Sequence, residues 1–104
     1  MSGHSEVASR EAPYRKVQSL MPDLIAEMSA DLKSEPLVRE LFLVGKGWVM
    51  NFQDHCFEYF FEEHDKLSNK FQILENCGFV QDVTSGNAKR YRLTENFVDY
   101  LLSL

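Results

Sequence analysis

The 104-residue sequence contains no long apolar run, only two cysteines and no excess of positive charge. A membrane-spanning helix needs about 20 consecutive apolar residues, and the longest apolar stretch here is far shorter. The polar start of the chain, residues 1–12 with the sequence MSGHSEVASREA, lacks the apolar segment that a secretion signal requires. We therefore expect a cytoplasmic protein without a membrane segment.

The cysteines and histidines are too few and too poorly spaced to indicate a metal centre. The histidines and cysteines in the second half of the chain are His55, Cys56, His64 and Cys77. No pair of them has the CxxC or HxxxH spacing that is typical of zinc sites. Both cysteines lie among apolar neighbours in predicted helices, so we expect buried thiols rather than a disulfide. The sequence predicts no metal and no cofactor.

The motifs of nucleotide-dependent enzymes are also missing. Gly45, Lys46 and Gly47 lie together, but they lack the spacing of a P-loop and the Ser or Thr that follows its lysine. We interpret them as a turn. The acidic run at residues 62–65 is interpreted as a solvated turn, because clustered carboxylates outside a concave site do not form an acid–base pair. We predict that the protein is not an enzyme.

Charge is distributed unevenly along the chain. Eleven basic and sixteen acidic residues give a net charge of −5, whereas nucleic-acid-binding proteins usually present a basic surface. Residues 51–65 contain five acids and no lysine or arginine, while residues 79–94 contain three basic residues and one acid. The region near the C-terminus is therefore locally basic although the chain as a whole is acidic.

The first third of the chain predicts a tail and one amphipathic helix. Residues 1–13 are rich in Ser, Glu and Ala without periodicity, which predicts a disordered tail. A helix is expected at residues 20–33, with Pro22 in its first turn. Its apolar stripe consists of Leu24, Ile25, Met28 and Leu32.

The middle of the chain predicts two further helices. Ser34 can cap the first of them and Pro36 fits its first turn. Its apolar side would consist of Leu37, Val38, Leu41 and Phe42, and residues 45–47 would end it. Asn51 can cap the next helix. That helix would extend through Phe52, Cys56, Phe57 and Phe60.

The clearest pattern begins at residue 67. Leu67, Phe71 and Leu74 recur at helical spacing, and Gly78 is placed to end the helix. Residues 79–84 (FVQDVT) and 89–94 (KRYRLT) have strand-like composition and are joined by residues 85–88 (SGNA), which favour a tight reversal. The sequence therefore predicts a helix that leads directly into a hairpin.

This segment resembles the recognition helix and wing of bacterial winged-helix regulators of the MarR, ArsR and PadR types. The residues that carry the resemblance are Leu67, Ser68, Phe71, Leu74, Glu75, residues 78–80 (GFV) and residues 91–95 (YRLTE). It implies an α+β fold, mainly α, with a three-helix core and a small β-hairpin wing, plus extra N-terminal and C-terminal helices. In that arrangement Trp48, Val49 and Met50 would form a small first strand that pairs with the edge of the wing.

The resemblance implies a single winged-helix domain over residues 14–104. It would contain the N-terminal helix 20–33, the core and wing 35–94 and a C-terminal helix 95–104 that Thr94 caps. The last helix carries the apolar residues Phe97, Val98, Leu101 and Leu102 on one side. Because so short a chain has few other ways to cover its outer helices, we expect a homodimer through the N-terminal and C-terminal helices.

The exposed face of the third core helix has side chains that can recognise bases. With Leu67, Phe71 and Leu74 inward, the helical repeat of about 100° per residue turns Asn69, Gln72 and Asn76 outward. Asn and Gln can each form two hydrogen bonds with adenine in the major groove. Arg90 and Arg92 alternate with core-facing residues on the hairpin and can reach phosphates. The predicted DNA-binding residues are Lys66, Ser68, Asn69, Gln72, Asn76, Lys89, Arg90 and Arg92.

The leading hypothesis is a transcriptional regulator that binds duplex DNA. Lys70 and the four cations named above allow about five phosphate contacts per chain, so useful affinity needs a homodimer on two half-sites. The alternative is a winged helix for protein–protein contact that does not bind DNA. A third possibility is a ligand sensor whose apolar pocket lies between the N-terminal helix and the core, lined by phenylalanines and Met28.

Overall fold

The computed structural model describes residues 12–47 and 56–104, in which four helices and a four-stranded sheet form an α+β fold. Helix accounts for close to half of this part of the chain. The elements in chain order are α1 (12–20), α2 (Pro22–Ser34), β1 (Glu40–Val44), β2 (Phe57–Phe60), α3 (Leu67–Asn76), β3 (Val80–Asp82), β4 (Lys89–Leu93) and α4 (Glu95–Ser103).

The sheet is mixed and its strand order is β2-β1-β4-β3. β3 and β4 form an antiparallel hairpin, and β1 pairs antiparallel with β4 on one side and parallel with β2 on the other. In this register Leu41 lies opposite Phe57 of β2 and Tyr91 of β4. A parallel pair needs a crossover of about a dozen residues or more, which the segment between β1 and β2 is long enough to provide.

The helices and one face of the sheet share a single hydrophobic core. Leu41 and Leu43 of β1 point into it, and the α3 and α4 side chains Phe71 and Phe97 are fully buried there. α2 and α4 pack on each other. The buried Ser29 of α2 donates a hydrogen bond of 2.8 Å to the carbonyl oxygen of Leu101 in α4. Burying one apolar stripe of each helix on one face of the sheet gives a layered arrangement.

Aromatic stacking fixes α1. The Tyr14 ring stacks on Phe79 at 4.7 Å and on Tyr100 at 4.4 Å between centroids. The Tyr100 hydroxyl donates a hydrogen bond of 3.0 Å to Gln18 Oε1. The prediction of a disordered tail at residues 1–13 is therefore wrong for residues 12 and 13, which are helical, and its other eleven residues lie outside the described part of the chain.

The two helices predicted for the middle of the chain are wrong where the structure describes them. Residues 40–44 form β1 instead of a helix, and Leu37, assigned to the apolar side, is 89% exposed. An apolar run of this length fits a strand buried on both faces as well as a helix. Phe57–Phe60 forms β2, with Phe57 and Tyr59 buried and Glu58 exposed, which is the alternation of a strand. Residues 48–55, including the strand expected at 48–50, lie outside the described residues.

The elements from residue 67 onward and the N-terminal helix are confirmed. The predicted helix 20–33 is observed as Pro22–Ser34, so Ser34 ends this helix instead of capping another. Thr94 occupies the N-cap position of α4 but makes no capping bond. Its hydroxyl instead donates to the carbonyl oxygens of Gly78 and Phe79, which ties the start of α4 to the end of α3. Across residues 12–47 and 56–104, no helix is long and apolar enough to cross a membrane.

Candidate nucleic-acid interface on α3 and the hairpin

α3 is bounded by two residues with left-handed backbone. Lys66, at the N-cap, has φ 54°, and Gly78, just beyond the C-terminus, has φ 78°. Glycine adopts this conformation without the steric penalty that a Cβ atom brings. Between them, Leu67, Phe71 and Leu74 are buried to 2% exposure or less. These three side chains determine which face of α3 remains outside.

That outer face carries the polar residues expected from the helical repeat. Ser68, Asn69, Gln72 and Asn76 are all exposed. The Gln72 Nε2 atom donates a hydrogen bond of 3.1 Å to Asn76 Oδ1 one turn later. Lys66 is exposed at the start of the helix, and neither it nor Lys70 forms an ion pair with another residue that the structure describes. The face is thus a row of amides with a cation beside it.

The turn of the hairpin is held by Asp82. Its Oδ1 atom accepts the Thr84 amide at 2.9 Å, and its Oδ2 atom lies 3.0 Å from the Lys89 ammonium. Hydrogen bonds from Thr84 and then Lys89 lower the pKa of Asp82 to about 2. The Thr84 hydroxyl accepts the Arg90 amide at 2.9 Å. Lys89, predicted to contact phosphate, therefore has a carboxylate partner within the hairpin.

Arg90 and Arg92 extend from β4 on the face opposite the core, since Tyr91 and Leu93 between and beyond them are buried. Both guanidinium groups bond to Glu40, which lies directly opposite Arg92 on β1. Arg92 Nη2 is 2.9 Å from Glu40 Oε2, and Arg90 pairs with Oε1. Burial raises the pKa of Glu40, but the hydrogen bonds from Arg92 and Arg90 outweigh it, so the pKa lies below its ordinary value.

This pairing changes the electrostatics expected of the hairpin. The sequence shows three cations there, but Asp82 and Glu40 leave a net charge of +1 on the group of five (three cations minus two carboxylates). Glu40 was missed because residues 40–44 were predicted to be helical, which hides their register with β4. Once β1 is recognised as a strand, the pairing is indicated by an acid that lies opposite Arg92 and diagonal to Arg90 on the same face of the sheet.

The acidic turn before α3 is also partly neutralised. The Glu62 carboxylate accepts the Lys46 amide with both oxygens, at 3.0 and 2.9 Å, and Glu63 lies 3.5 Å from the Lys46 ammonium. The prediction that residues 45–47 form a turn is confirmed. Asp65, in contrast, is exposed next to the start of α3, where its negative charge would repel a polyanion such as DNA.

The sequence predicted that His64 lies in a solvated turn, and this is wrong for its side chain. His64 is only 7% exposed and pairs with Glu27 of α2. The Tyr59 hydroxyl donates a hydrogen bond of 3.0 Å to Asp31 one turn further along α2. Burial, followed by the charge of Asp31, raises the pKa of Tyr59 well above its ordinary value. In the described part of the chain, no group of three or more His, Cys, Asp or Glu side chains is placed to hold a metal ion.

The hypothesis of an apolar ligand pocket lined by Met28 finds no support in the packing, since Met28 is 2% exposed within the core. A cavity of about 160 Å³ lies instead where the end of β1 meets Phe61 and the hairpin residues Asn87 and Lys89. A larger groove of about 440 Å³ lies beside Tyr14, Phe79 and Asn96.

Comparison with known proteins found no matching family model, no similar curated protein and no similar solved structure. The winged-helix resemblance is thus carried by the residues of α3, the hairpin and the start of α4 alone. Its functional implications depend on the geometry of those elements.

Proposed function

We propose that this chain is a winged-helix protein that binds duplex DNA and acts as a transcriptional regulator. The observation that supports the proposal most directly is the row of amides on α3, formed by Asn69, Gln72 and Asn76, which is exposed next to a hairpin. Amide side chains on an exposed helix match the donor and acceptor pattern of base edges in the major groove.

The strand arrangement supports the proposal further. In the winged-helix arrangement that the sequence resembles, a short first strand pairs with the edge of the wing. Here β1 pairs antiparallel with β4, α3 precedes the hairpin and α4 follows it. The departure is β2, because residues 57–60 form a strand in the segment that would carry the helix before the recognition helix. The proposal therefore depends on α3 and the hairpin, because residues 56–66, directly before α3, contain a strand and turns and no helix.

The available charge predicts weak binding by one protomer. Lys66 and Lys70 lie on or next to α3, whereas Lys89, Arg90 and Arg92 must exchange a carboxylate for a phosphate. Lys89 and Arg92 are 54% and 52% exposed, and ion pairs between exposed side chains stabilise the fold little, so these two cations can exchange partners easily. Few phosphate contacts give low affinity at physiological salt, which a dimer on two half-sites would raise.

A homodimer through the outer helices remains part of the proposal. α1, α2 and α4 already cover much of one another within the chain, but Leu20, Leu102 and Leu104 are 52%, 39% and 46% exposed. These leucines supply apolar surface for a second copy. Sedimentation velocity over a hundredfold concentration range tests this part. A monomer at every concentration would remove the half-site argument.

Fluorescence anisotropy with a labelled duplex tests DNA binding. We expect affinity to fall steeply between about 50 and 200 mM salt. The variant Asn69→Ala with Gln72→Ala should weaken binding at least tenfold, because each good amide–base contact is worth about 1–3 kcal/mol. The matched control is Ser19→Ala with Asn96→Ala, which removes an exposed hydroxyl and an exposed amide from other elements. Equal affinity for both double variants and the unchanged protein would exclude α3 as the DNA-binding element.

The second candidate function is a protein-binding module that does not bind DNA. It is favoured by the pairing of Lys89, Arg90 and Arg92 with carboxylates and by a net charge of −5. This candidate predicts no anisotropy change with duplex at any salt concentration, even after Glu40 has been neutralised by Glu40→Gln. A salt-dependent signal would exclude it.

A further inference from the structure

We infer that Gln72 is the residue that determines base specificity, that it selects adenine of an A·T pair in the major groove, and that Asn76 positions it. The inference rests on the proposed DNA binding and deepens it. Both side chains lie on the exposed face of α3, one helical turn apart, and are joined by the 3.1 Å bond from Gln72 Nε2 to Asn76 Oδ1. Residues four apart on a helix are neighbours on its surface.

The hydrogen bond leaves the half of the Gln72 amide that adenine requires. A glutamine amide has two N–H donors and one carbonyl acceptor. In the inferred arrangement Asn76 accepts the N–H that points away from the Gln72 carbonyl oxygen, so the oxygen and the N–H beside it remain for a base. Adenine presents an acceptor at N7 beside a donor at N6 in the major groove, so this remaining pair matches it with two hydrogen bonds.

The same amide disfavours the other bases. Guanine presents two acceptors, N7 and O6, so the Gln72 carbonyl oxygen would face O6 without a hydrogen between them. Cytosine presents only a donor and thymine only an acceptor and a methyl group, which allows one hydrogen bond instead of two. Asn76, as the acceptor of the Gln72 bond, keeps both of its own N–H groups for phosphate or water.

Preorganisation distinguishes Gln72 from Asn69, the other central amide. Asn69 is exposed and has no hydrogen-bonding partner among the side chains described for residues 12–47 and 56–104. Immobilising a flexible side chain on binding costs conformational entropy, which lowers affinity. Asn76 removes part of that cost for Gln72 before DNA arrives. We therefore expect Asn69 to contribute to affinity and Gln72 to determine the preferred base.

The test begins with selection of binding sites from a randomised duplex library by the full chain. Anisotropy titrations then compare the selected duplex with duplexes in which one A·T pair at a time is replaced by G·C. We expect one replacement to weaken binding by roughly five- to a hundredfold in the unchanged protein. Gln72→Ala should bind both duplexes equally. All the substituted residues are exposed, and circular dichroism verifies that each variant is folded.

Two Asn76 variants separate positioning from general loss of affinity. Asn76→Ala removes the acceptor and should reduce the A·T preference several-fold, whereas Asn76→Asp keeps an acceptor and should preserve the preference while lowering affinity for both duplexes. Asn69→Ala, the matched control, should weaken both duplexes without changing their ratio. A preference that survives Gln72→Ala, or a selected site that contains only G·C contacts, would overturn this inference and leave DNA binding in place. Failure of the unchanged protein to bind any duplex would overturn both.

Discussion

Neutralising Glu40 should lower the stability of this protein and, under the proposed function, strengthen binding to duplex DNA. Glu40→Gln preserves the size of the side chain and removes the charge that holds Arg90 and Arg92. The carboxylate is 19% exposed and Arg90 is 25% exposed, whereas Arg92 is 52% exposed. Most of the stabilisation therefore comes from the Arg90 pair, since exposed ion pairs contribute little.

The size of both effects follows from this geometry. We expect a loss of about 1 kcal/mol in the free energy of unfolding at neutral pH, which lowers the melting temperature of a domain this small by about 4–8 °C. Two released arginines add up to two phosphate contacts per chain. Each contact contributes about 0.9 to the slope of log affinity against log salt, so the slope should steepen by up to about 1.8.

The assay is a thermal melt combined with anisotropy titrations at four salt concentrations. The matched control is Glu95→Gln, which makes the same change in net charge and breaks the 2.8 Å pair with Arg39, but leaves Arg90 and Arg92 paired with Glu40. It should leave the salt slope unchanged. An unchanged slope in Glu40→Gln would show that removing the carboxylate adds no phosphate contact, and it would contradict the expected gain. An equal gain in affinity in both variants would refute the reasoning, because net charge alone would then explain it.

Three further predictions concern stability. Phe71→Ala removes a fully buried ring between α3 and the sheet and should cost about 3–5 kcal/mol in urea unfolding, so a loss below 1 kcal/mol would contradict the observed packing. Tyr59→Phe removes the donor to Asp31 and should cost about 1 kcal/mol, with an unchanged far-ultraviolet circular dichroism spectrum. Asp82 has a pKa lowered from 3.8 to about 2, so its contribution to the free energy of unfolding is present above pH 3.8 and is lost as the pH falls toward 2. Asp82→Asn should therefore flatten the stability–pH curve between pH 3.8 and 2. A curve of unchanged slope would contradict the lowered pKa.

The C-terminal elements were predictable because their signals are local. The helical spacing of Leu67, Phe71 and Leu74 indicates α3, Gly78 indicates its end, and the composition of residues 85–88 favours the reversal that joins β3 to β4. The same periodicity indicates that Asn69 and Gln72 are exposed. None of these predictions requires knowledge of distant parts of the chain.

The central sheet was not predictable from such signals. All of residues 41–44 are buried, so β1 lacks the alternation that identifies a strand with one solvated face. β2 is parallel to β1. Parallel strands are joined by a long crossover and not by a short turn, so no local turn sequence predicts that they pair. The hydrogen bonds that Glu40 accepts from Arg90 and Arg92 span 50 and 52 residues, and they follow only from the register of β1 with β4. The exposed row of amides was therefore visible in the sequence, and the neutralised arginines were not.

The position of β1 between β2 and β4 affects how the chain must be made. During synthesis the apolar run Leu-Phe-Leu-Val at 41–44 emerges well before residues 57–60 and 89–93, the two segments with which it forms hydrogen bonds. Until both have been translated, an unpaired strand with high aggregation propensity is open to other nascent chains. Truncated products that stop before residue 89 should accumulate in inclusion bodies, whereas the full-length polypeptide should stay in the supernatant.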